Sequence, residues 1–172
     1  MNIFVTDPSP YKSAMVLPDK HIVKMPLETC QMLAIVCSDK WGHGYGELHK
    51  ADGTPYKTEK GAFRNHPCTV WANESIINAW WLVAHGIALC EEYTHRYGKV
   101  HKSEYIIRSL EIPNLPDIGL TDFAQSMPEQ YRCANDPVKA YRTYYIRGKT
   151  YMNKGLGPLW KKDPTRKPIW FC

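Results

Sequence analysis

Few side chains in this chain have both the type and the spacing for chemistry. Glu28 follows His21 by seven residues and Lys24 by four. Seven residues make two helical turns, about 10 Å, so a carboxylate and an imidazole can line one cleft without touching. Such a pair can stabilise developing positive charge and move protons, which admits a hydrolytic or lyase reaction at a sugar carbon. Periodicity taken alone favours a plainer reading, an exposed helix face carrying a Lys24–Glu28 pair at i,i+4. Asp19, His21 and Glu28 are hard ligands at a spacing that arises often by chance. No metal site and no cofactor is expected, and no zinc-finger, HExxH, nucleophile-elbow or dinucleotide-binding pattern is present.

A second set lies between His66 and Gly98. Trp71, Glu74, Asn78, Trp81 and His85 recur at steps of three and four, so one helix face alternates indoles with a carboxylate, an amide and an imidazole. Burying such polar groups unpaired is costly. The face is therefore either an internal hydrogen-bond network with a wet edge or the wall of a pocket for a planar polar ligand such as a base. A third set lies near the C-terminus. There Tyr141, Tyr144 and Tyr145 interleave with Lys139, Arg142 and Arg147, with Lys149 just beyond. Cations for phosphates and rings for bases suit a nucleic-acid surface. A helix that packs its tyrosines and points its arginines to water fits the same pattern.

The elements that must position these groups are helical. The spacing predicts a helix from about Asp19 to Cys37, kinked or joined at Pro26. An unbroken spine helix is predicted over His66–Gly98, with Pro67 in its first turn and Gly98 as its stop. Short helices are predicted over Lys102–Leu110 and Val138–Arg147, the latter capped by Asp136-Pro137. Ser13–Leu17 adds at most a turn. Residues 38–66 carry glycines at 42, 44, 46, 53 and 61 and read as a flexible loop or flap. No stretch shows strand alternation. The expected fold is all-α, one compact domain over residues 1–172 with about four helices, long loops and a basic irregular tail at 149–172, pinned by Trp160 and Trp170.

At 172 residues the chain is long enough for one full core. The net charge of +5 is unevenly placed: residues 139–167 hold nine Lys or Arg against Asp163 alone, and the preceding residues hold thirteen against sixteen acids. That asymmetry suggests a phosphate-bearing partner. No apolar run approaches 18 residues, and the N-terminus lacks a basic stretch followed by a long apolar one. A cytoplasmic setting is expected, with the six cysteines reduced and no partnership with a membrane.

Three pieces together resemble the phage pyrimidine-dimer DNA glycosylases, the endonuclease V type that excises UV-damaged bases. Asp19-Lys20-His21 followed by Glu28-Thr29 is similar to the stretch that leads to that family's catalytic glutamate. His66–Gly98 is similar to its central helix, and Tyr141–Lys149 to its aromatic, lysine-rich C-terminal segment. The resemblance implies an all-helical enzyme with an N-terminal amine nucleophile, here Met1, assisted by Glu28 with His21 positioning it. It implies damaged or modified duplex DNA as partner, gripped by Lys24, Arg142, Tyr144, Tyr145, Arg147 and Lys149. Two departures stand out. Asn2 is bulky enough to leave Met1 in place, and Leu27 and Gln31 stand where the family carries phosphate-gripping arginines. Two alternatives remain beside a glycosylase with abasic-site lyase activity: an enzyme on free nucleotides or nucleosides, and a non-catalytic nucleic-acid-binding module.

Overall fold

The molecule is built on two long helices packed against each other, α2 (Asp19–Val36) and α4 (Ile76–Tyr97). The computed structural model describes residues 1–56 and 60–171. In α2, Ile22, Met25, Leu33 and Val36 face inward, and the helix runs continuously through the buried Pro26. In α4, Leu82, Leu89 and Cys90 are fully buried. The two backbones come close at Gly86, where an added Cβ would lie 2.7 Å from Thr29 Cγ2. Glycine is required there because any side chain would push the pair apart.

The His66–Gly98 stretch is two helices. α3 (Pro67–Glu74) ends at Ser75, whose φ and ψ of −146° and 144° are those of extended chain, and α4 begins at the next residue. The Ser75 hydroxyl accepts the Ile77 N–H at 3.2 Å and donates to the Gly119 carbonyl at 2.7 Å. A serine that caps a new helix and bonds a distant loop outweighs the propensity of one more helical residue. The C-terminal end is as the sequence suggests, with Gly98 at φ 64° closing α4.

Around this pair stand α1 (Pro10–Met15), α5 (Glu104–Ser109), α6 (Pro137–Thr143) and the single turn α7 (Met152–Gly155). The described residues thus form an all-α domain with seven α-helices, which corrects the expected four. The additional elements are α1, the separated α3, and α7. α1 and α7 have too few turns to show a hydrophobic period in sequence, and α3 continues the period of α4 closely enough to read as one helix with it. α6 continues into a π-helical turn over Tyr144–Gly148. No strand is present among the described residues; an isolated bridge joins His49 and Pro55 around the Asp52-Gly53 turn.

The 38–66 stretch is tied down at several described points. Tyr56 is buried, and the Tyr45 hydroxyl donates to the Glu111 carbonyl at 3.1 Å. The part of the proposed flap at residues 57–59 lies outside the described residues. Arg96 nails α4 to the start of α2. Its side chain is fully covered, and it donates to Glu92 at 2.7 Å, to Asp19 at 3.0 Å and to the carbonyls of Leu17 and Met15. A buried guanidinium is tolerated because every face of it is paired. Arg166 reaches Glu92 at 2.9 Å and Trp160 donates to the Val16 carbonyl at 2.9 Å, which draws the tail onto the same corner. Among the described residues no helix is long and apolar enough to cross a membrane.

Candidate active site

The N-terminal arm is laid into the core, not left in solvent. Ile3, Phe4 and Val5 are buried. Asn2 makes this possible. Its Oδ1 accepts the N–H groups of Ile3 and Phe4 at 2.8 and 3.2 Å, and its Nδ2 donates to the Ser126 carbonyl at 2.6 Å. Phe4 adopts φ 42°, a left-handed conformation rare for an aromatic residue. The tight turn sets the first residue beside α2.

The Met1 amine there lies 3.8 Å from Glu28 Oε2, and Lys24 Nζ lies 3.1 Å from Glu28 Oε1. A cavity of about 220 Å³ opens on this pair, lined by Met1, Asn2, Phe4, His21, Lys24, Met25, Glu28, Ser126, Tyr144 and Lys149. The i,i+4 pair read from the spacing is present, but the exposed face is not: His21 and Glu28 are both buried. Covering by the N-terminal arm and by the segment after α6 turned that face inward, which periodicity within α2 cannot report.

His21 stacks on Phe4 with ring centroids 4.2 Å apart, and its Nδ1 lies 2.5 Å from the Tyr145 hydroxyl. Burial, reinforced by the charges of Lys149 and Lys24, holds His21 down to about 3, so the imidazole is neutral at ordinary pH. His66 caps α3 by accepting the Cys68 N–H, and its other nitrogen is 3.2 Å from Ser126 Oγ. Desolvation and then the neighbouring Met1 ammonium depress it. Lys149 is also buried. Its ammonium stands over the rings of Tyr144 and Phe4 at 4.7 and 4.9 Å and donates to the Tyr151 hydroxyl at 3.0 Å. Three cationic side or end groups, Met1, Lys24 and Lys149, therefore share one cavity with one carboxylate.

Of the aromatic-basic set, Lys149 and Tyr144 line the cavity, while Tyr145 is fully buried and supports His21 from behind. Arg147 is exposed. Arg142 donates to the Thr6 carbonyl at 2.9 Å and covers the Trp170 ring. The Trp71, Glu74, Asn78, Trp81 and His85 set lies apart from this cavity. Trp71, Asn78, Trp81 and His85 are buried, and Glu74 is exposed. Trp81 packs edge-on to Trp71 and stacks with His85, and Phe123 closes over both indoles. Asn78 donates to the Trp71 carbonyl and to Thr121, and accepts the Thr121 N–H. The face is a packed interior. Among the described residues no group of three or more His, Cys, Asp and Glu side chains is arranged to hold a metal ion.

Phe4, Met25 and Ser126 are not read as site residues from sequence, and Asn2 is read there only as the residue that leaves Met1 in place. Phe4 carries a faint signal, an aromatic beside the chain start. Ser126 arrives from an irregular segment and carries none.

A helical domain that encloses an amine, a carboxylate and a neutral imidazole in one small cavity is a defined kind of site. Residues 1–105, more than half of the chain, match the family described as pyrimidine dimer DNA glycosylase. The chain belongs to that family, and so to a group of enzymes associated with nucleic acid. The matched span contains Met1, His21, Lys24, Glu28 and His66; Ser126, Tyr144 and Lys149 lie beyond it. Comparison with curated proteins and with solved structures found no match.

Proposed function

We propose that the protein is a DNA glycosylase that removes a damaged or modified pyrimidine, with Met1 as nucleophile and an associated abasic-site lyase activity. The observation that carries this reading is the Met1 amine 3.8 Å from Glu28 in a cavity large enough for a sugar. The Met1 ammonium gives up a proton to water, the neutral amine attacks C1′ of the target nucleotide, and the C1′–N bond breaks with its electron pair leaving on the base, which is protonated by water. Glu28 stabilises the cationic sugar in the transition state. It then takes a proton from the Met1 nitrogen now bonded to C1′ and delivers it to the ring oxygen as the C1′–O4′ bond breaks and the sugar opens to a Schiff base. Water hydrolyses that imine, or loss of a 2′ proton expels the 3′ phosphate.

The neutral His21, braced by Tyr145 and Phe4, holds the floor of the cavity without adding a charge against the attacking amine. Lys149 and Lys24 supply cations for the phosphates flanking the sugar. The target nucleotide must leave the stack to reach C1′, which makes duplex DNA carrying a weakened base pair the natural substrate.

The test is base release from a UV-irradiated duplex beside a panel of free nucleosides and nucleotides. Release from the duplex alone, lost in Glu28→Gln, is the expected result. Release from free nucleotides and none from duplex would replace this reading with a nucleotide enzyme.

A further inference from the structure

A second cavity of about 330 Å³ opens one corner away, lined by Asp19, Lys20, Asn153, Lys154, Leu156, Leu159 and Lys161. Three lysines from separate segments converge on it, and among the described residues none of the three is in an ion pair. The one carboxylate, Asp19, is already engaged. Its Oδ1 holds the buried Arg96 at 3.0 Å, and its Oδ2 accepts the Lys162 N–H at 3.1 Å. The cavity is thus a cationic recess at the N-terminal end of the long helix α2, where the backbone adds positive potential.

The backbone on the opposite wall is unusual. Asn153 and Lys154 take φ/ψ of 53°/41° and 61°/41°, two consecutive left-handed residues neither of which is glycine. Such conformations are disfavoured for residues with a Cβ and persist where the surroundings fix them. The turn is held by Asn153 Nδ2 donating to the Gly157 carbonyl at 2.7 Å and by Asp19 N–H donating to Leu159 at 2.9 Å. Its effect is to bring Lys154 to the recess formed with Lys20 and Lys161.

We propose that this recess takes a backbone phosphate of the DNA strand whose target nucleotide occupies the Met1–Glu28 cavity, an assignment that rests on the glycosylase reading above. Lys20 and Glu28 are on the same helix, about 12 Å apart along its axis. That span is within a few nucleotide steps of one strand, so a strand with its target nucleotide at Glu28 can reach the recess with a nearby phosphate. The lysines of the recess come from outside the matched family span except for Lys20.

The test is binding of an undamaged duplex by fluorescence anisotropy across a salt series, for the full chain and for Lys154→Gln/Lys161→Gln, with the exposed Lys60→Gln as control. The double variant should lose affinity at low salt, and its log K against log salt slope should fall by about 1, the value for one phosphate contact. Lys60→Gln should match the unmodified chain. Base release at saturating duplex should persist in the double variant. An unchanged slope, or no duplex binding by the unmodified chain, overturns the phosphate site. Persisting base release together with an unchanged slope would leave the glycosylase reading standing. A reduced slope with no base release from any duplex would remove that reading and keep the phosphate site.

Discussion

Two helix faces in this molecule carry the same kind of residues and meet opposite fates. On α2, His21, Lys24 and Glu28 open on a cavity. On α3 and α4, Trp71, Asn78, Trp81 and His85 are sealed into packed interior. Both show polar groups among apolar ones at steps of three and four. The difference lies in what covers them. Phe123 and Thr121 close the α4 face with rings and hydrogen bonds that satisfy Asn78 on every side. The covering of the α2 face is incomplete and charged: the N-terminal arm ends in an amine, and the segment after α6 ends in Lys149. A polar stripe becomes a site when its cover brings groups of the complementary charge and leaves space. It becomes core when its cover is uncharged and leaves no space: here aromatic rings pack over Trp81 and Trp71, and Thr121 pairs with Asn78, although Trp71 Nε1 and His85 Nε2 stay without a hydrogen-bond partner.

Substitutions should separate the two faces by what they damage. The largest effect is expected from Glu28→Gln, which keeps the shape and removes the charge. Turnover should fall by about 10²-fold or more while thermal unfolding stays cooperative. Unchanged turnover would mean that the carboxylate is not part of the chemistry. Trp81→Ala should do the reverse, lowering unfolding free energy in urea by about 3–5 kcal/mol. Its kcat per folded molecule should be unaltered. A selective rise in KM, without loss of stability, would restore that face as a ligand wall.

Acid should act on both faces together. Burial holds His21 and His85 each down to about 3 from an ordinary value of 6.5. Between those pH values the unfolded chain binds protons that the folded chain does not. Stability is therefore full above about pH 6.5 and is lost on acidification, by about 1.4 kcal/mol per pH unit per group. Urea unfolding at pH 7, 6 and 5 reads the slope. His85→Leu, which also removes an Nε2 with no hydrogen-bond partner, should make that slope shallower. An identical slope in the variant would show that His85 titrates normally. The smallest effect belongs to Glu74→Ala. Its carboxylate is exposed and only accepts from Thr121 at 3.2 Å, so stability and activity should stay within about 0.5 kcal/mol of the unmodified chain.

How much of this was legible in sequence follows from which facts are local. The alignment of His21, Lys24 and Glu28 on one helix face was, because it depends only on residues within α2. The burial of His21 and Glu28 was not, because it depends on Phe4, Tyr145 and Lys149, which reach α2 from both ends of the chain. The break at Ser75 left a readable trace, a serine ahead of two isoleucines, but Asn73, Glu74 and Asn78 also fit a continuous period. Tyr144 and Tyr145 are neighbours with opposite duties, one lining the cavity and one supporting His21. Their assignment turns on the π-helical turn over 144–148, which no residue type announces.

The most direct measurement is to reduce the protein with borohydride while it is bound to duplex carrying an abasic site, then map the adduct by peptide mass. The cavity presents three amines, on Met1, Lys24 and Lys149. The account predicts the sugar on the α-nitrogen of Met1, with the adduct greatly reduced in Glu28→Gln. A sugar on Lys149 or Lys24, or no adduct in a preparation that still releases bases, would contradict it.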